Sequence, residues 1–499
     1  DQESTATMDV YPGMSFTPDS EALITTWGGH LWRVPVAEGA EPEQIPFEAE
    51  VSLGIGPELD FDYPIPDDAT FRARQVRDAV PSPDGSKLAF TVLDRLYVMD
   101  WPDGQPRRPT DAADVTEAQP TWSPDGRWIA YATWATGEEP GGHLHKVRAD
   151  GSGEPVRLTR EAAVWQQPAW SPSGDRIVAV RGAARAYRES SGPFAPNAAD
   201  DLVWVDADPE AAGGSRARGG ESHPIAPAEG REYPHFVEGQ PDRVYLTGEG
   251  GVLVSLRWDG TDEKEHLKVT GYQAPLSEEP TTADQIRMAP EGGHAVAEVG
   301  WQLYDVTVPY VGGETPAVSV EDPESAPVPV VKLTEVGGEF PRWGATGRTV
   351  HWSLGAHHFV YDLERAEAVR DSLERVKKEE EREKEEKEAE DAGAGDEGDE
   401  GAEADREEEG YEPDEREIAV RVPRDVPEGT LALAGARIVT MDGDEVIEDG
   451  TIVIEDDRIA AVGPTGEVDV PPGAETRDVS GRTIVPGFVD THGHPWPAW

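Results

Sequence analysis

Seven times in its first 365 residues the chain returns to one short pattern, and this recurrence restricts the fold more than any other feature. The clearest copies are VPSPDGSKLAF from Val80, TWSPDGRWIAY from Thr121 and AWSPSGDRIVA from Ala169. Weaker copies begin at Ser15, His235, Arg287 and Arg342, so that successive copies lie 41 to 66 residues apart. Pro-Asp-Gly is a turn with a mechanism, since Pro presets φ, Asp bonds its own backbone and Gly accepts positive φ. Alternating strands follow each turn, as in KLAFTV from Lys87 and RLYVMD from Arg95, with no helical period between them. Three or four short strands per unit, repeated in series, predict antiparallel blades closing in a circle.

These units resemble the TolB-like (WD40-like) β-propeller repeat, whose recurring core is this Trp-Ser-Pro-Asp-Gly turn. The resemblance implies a mainly β fold over 1–365, seven-bladed with six to eight blades allowed. It also implies a surface that binds a protein partner or gates a neighbouring domain, in an extracytoplasmic or periplasmic setting. A propeller alone fixes no activity. Trp122, Trp170 and Trp343 are expected between blades rather than on a ligand. His143 and His145 form a His-x-His pair at ordinary strand positions. The inserts at 48–77 and 181–200 are candidate contact loops.

Charge then divides the rest of the chain. Of 499 residues, 100 are Asp or Glu and 44 Lys or Arg, a net charge of −56. Residues 371–417 hold 24 acidic and 8 basic side chains, net −16, which leaves −40 elsewhere. The span 366–427 therefore reads as an acidic linker: a solvated helix over 374–390 held by i,i+4 pairs, then a Gly-rich, self-repelling tether. So acidic a surface excludes nucleic acid as a partner and predicts stabilisation by salt, a halophilic trait. No apolar run reaches the 18 residues of a membrane span, and the absence of Cys excludes disulfides and thiolate chemistry.

After the linker, short alternating strands return: TLALAGARIVTM from Thr430, GTIVIE from Gly450, RIAAVG from Arg458, then VPGFVDTHGH from Val485. In that order they resemble the opening of the amidohydrolase superfamily of metal-dependent hydrolases. The resemblance implies an incomplete N-terminal β-sandwich over 428–483 and the first strand of a (β/α)8 barrel over 484–499. His492 and His494, two apart on a strand, point to one side. By the resemblance they are ligands of a divalent metal, zinc above all, and Asp490 supports them. The family's other ligands and its general base have no counterpart before Trp499, so the chain is expected to be a truncated piece without a complete catalytic set. The substrate implied is a small amide or peptide-like molecule cleaved at a carbon–nitrogen bond. The competing reading is a non-enzymatic propeller scaffold. A serine peptidase is disfavoured, since no Gly-x-Ser-x-Gly elbow occurs.

Overall fold

The computed structural model describes residues 14–487, apart from 28, 38, 49–67, 136–140, 186–199, 212, 217, 275, 276, 278, 311 and 392–409. The chain divides into two compact units, Asp1–Asp67 and Asp68–Trp499. The protein is mainly β, with one long helix, Leu363–Asp391.

Each repeat copy makes one sheet, antiparallel throughout except that Ala317–Ser319 adds in parallel to the sheet of the His235 copy. In the smaller unit the strands Ser15–Phe16, Ala22–Trp27, His30–Pro35 and Glu43–Ile45 pair in sequence order. In the larger unit six sheets, here blades I to VI, begin with the strands Arg77–Pro81, Thr116–Trp122, Val164–Trp170, Glu232–His235, Gln285–Met288 and Glu339–Trp343. Blades I to IV touch through these first strands, blade V meets blade VI through its second strand, and blade VI packs back on blade I. These six sheets of the larger unit thus contact one another in series, and the sixth returns to the first. The copy at Ser15 forms a four-stranded sheet in the smaller unit.

Turn chemistry builds blades I to III as the sequence predicts. Ser82, Ser123 and Ser171 donate through Oγ to Asp84 (2.7 Å), Asp125 (2.6 Å) and Asp175 (3.0 Å). The same hydroxyls accept the N–H of Lys87, Trp128 and Arg176, which starts the next strand. Gly85, Gly126 and Gly174 sit at φ +70°, +68° and +73°, where a Cβ is strained. Thr17 and Asp19 repeat the turn in the smaller unit, with Ser20 at φ +59° in the glycine's place.

Apolar residues of neighbouring blades interlock to form the core. One cluster joins Ala130, Leu144, Trp165 and Ile177 across blades II and III; another joins Tyr245, Leu267, Ile286 and Val306 across IV and V. The indole N–H of Trp122, Trp170 and Trp343 donates to the carbonyl of Val80 (3.0 Å), Thr121 (3.2 Å) and Arg287 (2.8 Å) on the preceding blade. These tryptophans are inter-blade staples, as expected.

The acidic span is an insertion within blade VI. The helix Leu363–Asp391 opens with Asp362 accepting the Arg365 N–H at 3.0 Å, and Glu374 pairs with Lys378 at 3.4 Å. Most of the expected Gly-rich tether, 392–409, lies outside the described residues. Beyond it the chain re-enters the ring: Asp414–Glu417 pairs with His357–Asp362 as the outer strand of blade VI, and Arg421–Pro423 pairs with Thr70–Arg72. Ile418 and Val420 are buried with Ala73, Val76 and Ala79. The ring's material thus extends past residue 365, because hydrogen bonding returns residues that composition assigns to the linker.

Thr430–Val439, Val446–Glu455 and Arg458–Pro464 form an antiparallel meander. Glu475–Asp478 and Thr483–Ile484 then add in parallel along the free edge of Thr430–Val439. The core of this sheet is thin, namely Ala436, Ile438 and Ile452, and Ile459 on its edge strand is 67% exposed.

Candidate functional site: the ring axis and the C-terminal sheet

Two places are candidates for chemistry, the C-terminal segment that the sequence points to and the axis of the ring. The parallel strand Thr483–Ile484 delivers the chain to Val485-Pro-Gly, where the described residues end. Asp490, His492 and His494 lie outside the described residues. Among the described residues no three His, Asp or Glu side chains come together as a metal site. His143 and His145 are satisfied side chains: His143 Nδ1 lies 3.2 Å from Thr159 Oγ1, and burial pushes both imidazoles down to about 4. The inserts at 48–77 and 181–200 fall largely outside the described residues.

The other place is the ring axis. A register shift interrupts the first strand of every blade except V. At these bulges Asp78, Gln119, Gln167, Tyr233 and Phe340 adopt φ between +51° and +59°. Each stands two residues before the start of its repeat copy, and Gln285 holds that position in blade V. Left-handed backbone at non-glycine residues costs on the order of 1–3 kcal/mol each and persists where neighbours enforce it. Those neighbours are the adjacent blades. Gln119 Oε1 accepts the Gln167 N–H at 2.6 Å, and Gln167 Oε1 accepts the Tyr233 N–H at 2.5 Å. The Gln119 N–H in turn favours the charged form of Asp78.

This polar belt borders a cavity of about 640 Å³, walled by prolines such as Pro120 and Pro168, by Trp122 and Trp170, and by Arg287 and Arg342. Arg287 is 9% exposed, lies 5.4 Å from the Tyr233 ring centroid, and faces the side-chain amide of Gln285. Arg342 donates to the Pro341 carbonyl at 3.0 Å and stands 3.7 Å from Asp78. Burial opposes charge on both guanidiniums; the field of Arg342 lowers Arg287 further, while Asp78 favours the charged form of Arg342. Burial likewise raises Asp78, and it pushes Glu298 up to about 7 with help from Asp284 and Glu339. His235 Nδ1 donates to the Tyr233 carbonyl at 2.9 Å and its Nε2 accepts the Met288 N–H at 2.9 Å, so this imidazole is neutral and structural. Sequence reasoning missed the axial set. Its signal was the position two before each copy, together with two copies that begin in Arg.

No family model matches the chain. An uncharacterized protein of Agrobacterium fabrum is 28% identical over 202 residues, covering 35% of this chain and 67% of that protein. Imidazolonepropionase of Rubrobacter xylanophilus is 44% identical over 72 residues, 14% of this chain and 17% of that enzyme. Adenine deaminase of the same organism is 35% identical over 79 residues, 16% of this chain and 13% of the enzyme. A small part of the chain is thus similar to amidohydrolases, and the chain spans less than a fifth of either enzyme. Among solved structures, a TolB of Agrobacterium tumefaciens covers 52% of this chain at 15% identity and TM-score 0.34, with 91% of its own chain matched. An oligogalacturonate lyase in complex with manganese covers 59% of this chain and 76% of its own, at 15% identity and TM-score 0.36. Likenesses at these scores carry no argument about activity.

Proposed function

We propose that this chain joins a six-bladed propeller to the opening segment of a metal-dependent hydrolase of carbon–nitrogen bonds. The observation that carries the reading is the 44% identity to imidazolonepropionase over 72 residues. We assign that likeness to the span 428–499, the part whose motifs resemble an amidohydrolase. His492 and His494 would hold a divalent ion, zinc by donor chemistry, with Asp490 as their support. Such an ion supplies a water of lowered pKa and a Lewis acid for the substrate carbonyl. Two imidazoles fall short of the three protein ligands usual at a catalytic zinc, so hydrolysis needs donors other than these.

Metal titration tests the reading. After dialysis against Zn²⁺, the His492→Ala/His494→Ala chain should retain less metal than the parent, and equal retention would end it. A non-enzymatic scaffold is the second reading, and the axial cavity is the observation in its favour.

A further inference from the structure

We propose that the axial cavity of the ring binds a small organic monocarboxylic acid, its carboxylate held by Arg287 and Arg342 and its apolar body lying against Trp122, Trp170 and the proline wall. This goes beyond the hydrolase reading and does not depend on it.

The cavity has the size of a small-molecule site, about 640 Å³. Two guanidiniums lining one cavity suit a planar carboxylate, which takes paired N–H donors. The protein itself neutralises them incompletely. Asp78 is 3.7 Å from Arg342, Gln285 offers Arg287 a neutral amide, and burial with Asp284 and Glu339 disfavours the charged form of Glu298. Two buried cations share the one nearby carboxylate of Asp78, and an incoming anion offsets part of their desolvation cost. The belt of left-handed residues fixes the groups around the axis before any ligand arrives, which reduces the ordering needed on binding.

Charge also selects within the anions. Glu238 stands exposed among the lining residues, and the chain as a whole carries −56. That field disfavours polyanions such as nucleotides over a singly charged acid. The apolar wall in turn disfavours a bare inorganic anion, which leaves Trp122 and Trp170 without contact.

Calorimetric titration of the full chain in about 0.1 M salt uses benzoate, its neutral isostere benzamide and inorganic phosphate. Benzoate should bind, with benzamide and phosphate each at least tenfold weaker. Arg287→Gln and Arg342→Gln should each weaken benzoate about tenfold or more, and Arg342→Lys should restore part of the loss. Benzamide binding as tightly as benzoate overturns the proposal, as does phosphate binding more tightly. Absence of benzoate binding up to about 10 mM also overturns it. If a glutamine variant does not fold, the three-ligand contrast on the unaltered chain still decides.

Discussion

Gln119 Oε1 accepts the Gln167 backbone N–H across the gap between blades II and III, at 2.6 Å. Both residues sit in left-handed backbone, so each contributes strain and one side chain satisfies the other's donor. The next bond, from the Tyr233 N–H to Gln167, extends the same relation to blade IV. The ring is thus held at its axis by polar contacts as well as by apolar packing between blades.

Replacing Gln167 separates these effects. Gln167→Ala leaves the Tyr233 N–H without its partner and keeps the left-handed strain, a loss of about 1–3 kcal/mol. Gln167→Gly loses the same bond but relieves the strain, so it should be less destabilising by about 1 kcal/mol. Urea unfolding of both variants measures the difference, and equal losses would show that the bulge is unstrained.

The inter-blade staple predicts a graded series at Trp122. Trp122→Phe keeps most of the buried ring and loses the bond to the Val80 carbonyl, costing about 1 kcal/mol. Trp122→Ala opens a cavity between blades I and II and costs about 3–5 kcal/mol. A Phe variant as damaged as the Ala variant would remove packing as the main contribution.

Acid should weaken the ring in a defined window. His351 and His358 lie 3.2 Å apart in blade VI; burial pushes His351 down to about 4 and holds His358 well below its ordinary value. The unfolded chain takes up these protons near pH 6.5 while the fold resists them, so stability is complete above about 6.5 and falls toward pH 4. His235, pushed down to about 3, acts in the same direction. Urea midpoints measured from pH 7.5 down to 4.5 should decline, and His351→Gln/His358→Gln should flatten the slope. An unchanged slope in that variant would place the acid sensitivity elsewhere.

Truncation tests the return of the chain to blade VI. A chain ending at residue 424 keeps Ile418 and Val420 in their buried cluster, whereas one ending at 365 exposes it. Losing two buried aliphatic side chains removes about 3–6 kcal/mol together with an outer strand. The shorter chain should melt at a lower temperature, and equal melting points would make 414–423 dispensable.

Salt should stabilise the protein. With a net charge of −56, self-repulsion is strong at about 0.1 M KCl and largely screened at about 2 M. The melting temperature should therefore rise between those concentrations; a fall or no change contradicts salt adaptation.

The sequence by itself determined what is local. Each Pro-Asp-Gly turn, the strand after it, the place of Trp122 between blades and the meander from Thr430 are all legible, because turn chemistry and period-two alternation act over a few residues. Tertiary structure alone decided what depends on distant partners. It brought the sheet at Glu339 back against the sheet at Arg77 and put the copy at Ser15 in another unit. It returned Asp414–Glu417 to blade VI from a span whose composition reads as linker. Above all it brought Arg287 and Arg342, 55 residues apart in the chain, to one cavity with Asp78. The physical reason is closure. The place of a residue in its copy is legible in the sequence, but its environment is set only when the last blade meets the first.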